Sequence, residues 1–161
     1  MYILDANVFI DAANTYYAFD LTPGYWDFIV SLFDSQRAVS ITHVYDELVR
    51  EDDDDPLKVW AKRNSKHFVV PDDLVVASYQ QVMTWARGQS YKLNAINEFQ
   101  SVADSWIVAH ALAYGRVVVT REKPAPGSKK RIKIPDACDA LNVKYLDPVT
   151  MLGNRELSPV L

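Results

Sequence analysis

The sequence predicts a three-layer α/β fold in which a central parallel sheet of four to five strands is covered by helices. Three observations carry this. Short apolar runs alternate with helical stretches along the whole chain; the runs are apolar at successive positions, as strands buried on both faces require; and no linker composition or internal repeat interrupts the alternation. At 161 residues, with 49% hydrophobic and 24% charged content and only 5 Gly and 8 Pro, the chain is expected to form a single domain over 1–161 that buries roughly two thirds of its unfolded surface. Disordered, collagen-like and low-complexity readings are excluded.

Tyr2-Ile3-Leu4 reads as the first strand, and Ala6–Ala13 as a helix joined to it through Asp5. Residues 14–23 are turn-rich and end in Pro23-Gly24; Trp26, Ile29, Val30 and Phe33 then recur at helical spacing, which predicts a helix over about 24–36. Ala38–Ile41 is a second buried strand, Thr42 an N-cap, and Val44, Leu48 and Val49 mark a helix to about residue 51. Glu51 to Pro56 is an acidic, solvated loop. Helices follow over 57–66 and 73–87, the second opened by Asp72 and closed before Gly88, with the short Phe68–Pro71 run between them. Ser101–Tyr114 is apolar nearly all round, which predicts a helix buried on several sides and ended by Gly115. Val117–Thr120 is the third clear strand. A basic loop, a short helix over about 135–142, a strand at Lys144–Leu146 and a helical turn from Pro148 to Leu152 complete the order.

Open parallel sheets bind ligands outside the carboxyl ends of their strands, so charged residues that follow strands are the candidates for chemistry. Asp5 follows the first strand and Glu122 the third. Glu47, at about 100° per residue, lies about 60° from Val44 and flanks the buried face of its helix, whereas Asp46 points to water. Asp104 stands in the first turn of the buried helix; Ser101-Val102-Ala103-Asp104 also fits a capping box, an alternative role for that acid. Four carboxylates that meet repel one another, and a hard divalent cation removes the conflict. An oxygen-only donor set selects Mg²⁺ or Mn²⁺, which points to phosphate-ester chemistry.

With Leu4-Asp5-Ala6-Asn7-Val8-Phe9-Ile10-Asp11, Glu47-Leu48, Ala103-Asp104 with Ile107 and Ala109, and Val119-Thr120-x-Glu122, the chain resembles the PIN-domain ribonucleases, including the toxin halves of VapC-like toxin–antitoxin pairs. The resemblance implies a PIN-like fold and a Mg²⁺- or Mn²⁺-dependent endoribonuclease. It places Asp5, Glu47 and Asp104 at the first three acidic positions and Asn7 and Thr120 at the supporting polar ones. The fourth acid departs from the family: Thr120-Arg121-Glu122 stands where Thr-x-Asp is usual, and residues 123–136 form an insertion in which Asp136 is a rival ligand. These departures imply a divergent subfamily. RNA as substrate, an antitoxin protein as partner and a homodimer are the associations the resemblance allows; a catalytically inactive PIN-like module that binds RNA or antitoxin is the alternative.

Seventeen basic against 21 acidic residues give a net charge of −4, so RNA contact requires uneven charge placement. Residues 121–133 supply it: Arg121, Lys123, Lys129, Lys130, Arg131 and Lys133 stand against Glu122 alone. No apolar stretch reaches the roughly 20 residues of a membrane span. A lone cysteine, Cys138, and the lack of a leader-like opening lead to the expectation of a reduced, cytoplasmic protein. His43, one helical turn before Glu47, reads as a supporting histidine. No Walker loop, G-x-S-x-G elbow or H-E-x-x-H is present, and Asn7 stands where a haloacid-dehalogenase-type phosphatase needs its second Asp.

Overall fold

A computed structural model describes residues 1–15, 17–50 and 52–154. The chain runs β1 (Tyr2–Leu4), α1 (Ala6–Ala13), α2 (Pro23–Asp34), β2 (Ala38–Ile41), α3 (Thr42–Leu48) and α4 (Pro56–Arg63). It continues through a 3₁₀ turn (Ser65–His67), β3 (Phe68–Val69), α5 (Asp73–Arg87), α6 (Leu93–Ser101), α7 (Ala103–Tyr114), β4 (Val117–Val119), α8 (Ile134–Ala140), β5 (Tyr145–Leu146) and α9 (Pro148–Leu152). The five strands form one parallel sheet in the order β3-β2-β1-β4-β5. The fold is α/β, as expected, with helices flanking the sheet.

This order places the functional end. Successive strands step outward from β1 to β2 and β3, and the chain then returns to the other side of β1 to lay down β4 and β5. The direction reverses between β1 and β4, so the crevice outside their carboxyl ends is the topological switch point. Register fixes it closely: Tyr2 pairs with Val117 and Leu4 with Val119, so Asp5 and Thr120 leave the sheet side by side. The Asp5 N–H donates to Val119 O at 3.0 Å, extending the ladder by one residue.

Ile3, Leu4, Val118, Val119 and Ile107 are fully buried, which explains why the strands are apolar throughout. Helix α7 lies against β1, β2 and β4 and also carries α5, α6 and α8. Its burial on several sides removes any single apolar stripe. Gly115 ends it at φ +64°, a left-handed position where glycine is unstrained, and the Arg116 N–H returns to Ala111 O. Phe9 of α1 packs on Phe33, Trp60 and Phe68 with ring centroids 6.4, 5.6 and 5.8 Å away. Each such pair contributes roughly 0.5–1.5 kcal/mol beyond burial and fixes α1 beside the switch point.

Several expectations about elements are corrected. The helix expected over Ser101–Tyr114 is two helices, because Val102 is extended (φ −113°, ψ 175°) and breaks the path between α6 and α7. Ser101 therefore ends α6, where its hydroxyl donates to Glu98 O, and the capping box with Asp104 does not form. Helix α6 itself was hidden by the polar residues Asn94, Asn97, Glu98 and Gln100, although Ala95 and Phe99 are buried four apart. Thr42 is the first residue of α3 rather than its cap; Ile41 precedes it in extended conformation without a side-chain cap. The helix expected over 57–66 stops at Arg63, with the next turn tightening to 3₁₀. Helix α3 ends at Leu48, and Glu51 of the acidic loop lies outside the described residues. Asp55 caps α4 by accepting the Leu57 N–H.

Candidate active site

Six carboxylates, from Asp5, Asp11, Glu47, Glu98, Asp104 and Glu122, line one concavity of about 330 Å³ at the switch point, with Arg131 the single cation on its wall among the described residues. Each comes from a different structural cause. Asp5 caps α1: its Oδ1 accepts the Ala6 N–H at 2.7 Å and its Oδ2 accepts the Thr120 hydroxyl at 2.9 Å. The Thr120 hydroxyl also accepts from Asn7 Nδ2 (3.2 Å) and from the Glu122 N–H (3.1 Å), so its one donor and both acceptor sites are used. Asn7 Oδ1 in turn accepts the Arg121 N–H at 3.0 Å. Asn7 and Thr120 thus form a buckle that ties α1 to the end of β4 and fixes the Asp5 carboxylate.

Glu47 reaches from α3 to the start of α7, where its Oε1 accepts the Ala103 N–H at 3.4 Å. That bond serves an end that has no side-chain cap of its own. Asp104, one residue on, accepts no hydrogen bond among the described residues and opens onto the pocket. Glu122 is turned toward the insertion: its Oε2 accepts the Ile134 N–H at 2.7 Å, and its Oε1 lies 3.9 Å from Arg131.

Burial and mutual repulsion act strongly here. Asp5, 3% exposed, is pushed up to about 7, chiefly by burial against the opposing Thr120 hydrogen bond, with Glu122 and Glu47 adding repulsion. Asp104 is pushed up to about 8 by burial first and then by Asp5, Glu122 and Glu47, with Arg131 acting in the opposite sense. Burial also raises Glu47. The site holds protons near neutrality that isolated carboxyls would have lost, and a cation would replace them.

Among the described residues, no three carboxyl, imidazole or thiol groups stand close enough together to hold an ion by themselves. Oxygens of Asp5, Glu47 and Glu122 are turned onto protein donors, which leaves Asp104 as the uncommitted carboxylate of these four. Such a pocket fits a cation held by one or two carboxylates and otherwise by water, the usual manner of Mg²⁺.

A family model described as a domain of unknown function, DUF4411, matches residues 2–158. The chain belongs to that family. A search among curated proteins finds no match. Two solved structures resemble the DUF4411 chain. FitAcB from Neisseria gonorrhoeae is 17% identical, with 92% of this chain and 99% of that chain covered at a TM-score of 0.53. VapBC2 from Rickettsia felis, bound to a DNA fragment from their promoter, is 15% identical, with 91% and 97% covered at 0.52. The fold is PIN-like.

The remaining site candidates of this DUF4411 chain are dispersed. Asp136 is not on the pocket wall: both its carboxylate oxygens accept the Ala125 N–H, at 3.2 and 2.9 Å, and it closes the insertion from within. Of the six basic residues, Arg131 lines the acidic pocket and Arg121 pairs with Asp11 at 3.2 Å. Lys129 lies 5.5 Å over the Tyr91 ring, Lys130 is exposed, Lys123 lines a neighbouring cavity and Lys133 precedes α8. The insertion is not loose. Ile132 is 2% exposed, the Lys92 N–H bonds Lys129 O, and Asp136 and Glu122 pin its two ends. His43 is stacked on Trp106, ring centroids 4.7 Å apart, and is not on the pocket wall. Glu98 and Asp11 were not expected in the site. Asp11 carries a visible signal, since it lies one helical turn beyond Asn7 on the same face; Glu98 carries none without the turn at Val102. No helix among the described residues is long and apolar enough to cross a membrane.

Proposed function

We propose that this chain is a Mg²⁺- or Mn²⁺-dependent endoribonuclease of PIN type, from a divergent subfamily, acting as the toxin of a toxin–antitoxin pair. The observation that carries the reading is the gathering of desolvated Asp5 and Asp104 with Glu47 and Glu122 at the switch point of a PIN-like sheet. The likeness to FitAcB and VapBC2 and the sequence resemblance to VapC-like toxins support the antitoxin partner.

Asp104 and Asp5 would hold the cation, with Glu47 and Glu122 reaching it through water. When bound, it supplies a Lewis acid for the phosphoryl oxygen and lowers the pKa of an attacking water. Thr120 and Asn7 keep Asp5 oriented, Glu47 holds the start of α7 so that Asp104 stays on the wall, and Arg131 offers a positive charge on the pocket wall for a phosphate oxygen. The test is direct. Purified protein cuts single-stranded RNA in Mn²⁺ and leaves it intact in EDTA; intact RNA in Mn²⁺ as well overturns the nuclease reading. That outcome, with RNA binding retained, would favour the catalytically inactive module, a reading to which the committed oxygens of Asp5, Glu47 and Glu122 lend support.

The basic insertion has its own expected result. Replacing Lys129, Lys130 and Arg131 by Ala lowers RNA affinity across sequences and flattens its salt dependence, by about 0.7 in slope for each phosphate of a single strand that is no longer neutralised. Arg131 contributes less than a free cation because Glu122 already faces it. Salt titrations of both proteins on one RNA check this; an identical slope shows that the insertion does not touch the backbone.

A further inference from the structure

We infer that a second concavity, one helix face round from the acidic pocket, holds the nucleobase of a nucleotide adjoining the phosphate at the acidic pocket. The inference rests on the endoribonuclease reading for which phosphate is cut. The cavity measures about 330 Å³, at the small end of ligand sites, room for one nucleoside but not for a helix or a folded peptide. Its wall is apolar and aromatic, from Val8, Ala12, Tyr25, Val149 and Leu152, while Arg121 and Lys123 supply positive charge. An apolar slot with cations is the combination by which single-stranded nucleic acid is held: bases on the apolar surface, phosphates on the charge.

The wall is fixed in advance. The Tyr25 hydroxyl donates to Val8 O at 3.2 Å, its ring stacks on Tyr17 with centroids 4.6 Å apart, and Trp26 Nε1 donates to Tyr17 O at 2.7 Å. A base entering this slot orders no loop, which keeps the cost of binding low. The opposing Asp147 is already used as the cap of α9, accepting the Thr150 N–H at 2.7 Å.

The two cavities share a partition. On α1, Asn7 and Asp11 face the acidic pocket, and Val8 and Ala12, one residue further on, face the second cavity. Arg121 closes the gap between them: its N–H is held by Asn7 Oδ1, its guanidinium by Asp11, and its side chain lines the second cavity. A strand with one phosphate at the acids passes over Arg121 and delivers its next base to the slot. Arg121 is then a phosphate contact between subsites, and the slot reads or accepts the base beside the cut.

The experiment separates this from the nuclease reading by using binding without metal and cleavage with it. In EDTA, a nucleoside 5′-monophosphate titrated into ¹⁵N-labelled protein is expected to shift the amides of Val8, Ala12, Val149 and Leu152, and Val149→Trp, which fills the slot from its exposed rim, to abolish those shifts. In Mn²⁺, an abasic residue at one position beside the cut is expected to slow wild-type cleavage about tenfold or more, because a stacked base contributes about 1–3 kcal/mol. The Val149→Trp enzyme should be indifferent to it. If Val149→Trp fails to fold, Val149→Glu at the same rim serves, since it repels the phosphate while remaining in water. Cleavage that ignores abasic substitution at every position near the cut, or shifts confined to the acidic pocket, overturns the inference and leaves the nuclease reading standing. Shifts in the slot without any cleavage retain the nucleotide site and remove the nuclease; neither shifts nor cleavage removes both.

Discussion

The Asp104→Asn protein is expected to fold, to melt at a higher temperature than the wild type above pH 8, and to cut RNA at least about a hundredfold more slowly in Mn²⁺, the upper range for disturbing even an outer metal contact. Asparagine keeps the shape of the side chain but cannot supply the charge that attracts a cation. The stability gain follows from the carboxyl being pushed up to about 8 in the fold. Ionising it there costs up to about 6 kcal/mol relative to an ordinary carboxyl, by 1.36 kcal/mol per pH unit; water entry and relaxation of the pocket reduce the recoverable part to about 1–3 kcal/mol. For a chain of this length that is a rise of several degrees, at roughly 2–4 °C per kcal/mol. Thermal melts and cleavage rates on the same preparation check both halves. A variant that is less stable at every pH assigns Asp104 a structural role, and one that cuts at the wild-type rate removes it from the cation.

The second large effect concerns pH alone. Asp5 and Asp104 have folded-state values of about 7 and 8, above their unfolded 3.8. Between those limits the folded chain binds more protons than the unfolded one, so these two groups stabilise the fold fully in acid and lose that contribution as pH rises through 7 and 8. His110 works in the opposite direction: burial lowers it from 6.5 to about 4, so it favours folding increasingly as pH rises from 4 to 6.5. Burial lowers His43 and His67 as well. The opposing trends offset each other in acid, and the decline stands alone above pH 6.5. Without divalent ions, stability is expected to fall by about 1–2 kcal/mol between pH 6.5 and 8. Millimolar Mn²⁺ should restore more stability at pH 8 than at pH 6.5, because it competes with protons for the same oxygens. Urea titrations at the two pH values, with and without Mn²⁺, decide it. A flat profile that ignores Mn²⁺ would show that the acids are solvated and separate.

What could be read from the sequence divides along physical lines. The succession of strands along the chain and the strand-end placement of Asp5 and Glu122 were legible because both follow from local pattern, apolar runs bounded by polar residues, combined with a general rule about parallel sheets; the order of the strands within the sheet was not, since it is set by pairing between distant segments. Glu47 was legible from helical phase. The role of Glu98 was not, since it depends on a turn made by Val102, whose extended conformation no nearby Gly or Pro announces. Nor could spacing decide between Glu122 and Asp136: both follow β4, and only the path of the insertion turns Asp136 onto Ala125 and leaves Glu122 on the pocket wall. Hydrogen bonds that take up oxygens of Asp5, Glu47 and Glu122 are likewise set by tertiary approach, and they are what distinguishes an array of acids from a ready-made ion cage.

The pairing of β1 with β4 also governs when the site can exist during synthesis. Asp5 and Thr120 are joined across 115 positions, and closing a loop of that length costs about 4 kcal/mol in chain entropy before any contact repays it. Parallel pairing of this range forms late and slowly. A growing chain on the ribosome therefore carries Asp5, Asn7 and Glu47 for most of its translation without β4, the strand that brings Thr120 to Asp5. The pocket closes only after β4 and Glu122 have emerged, so products stalled before that point lack the completed site.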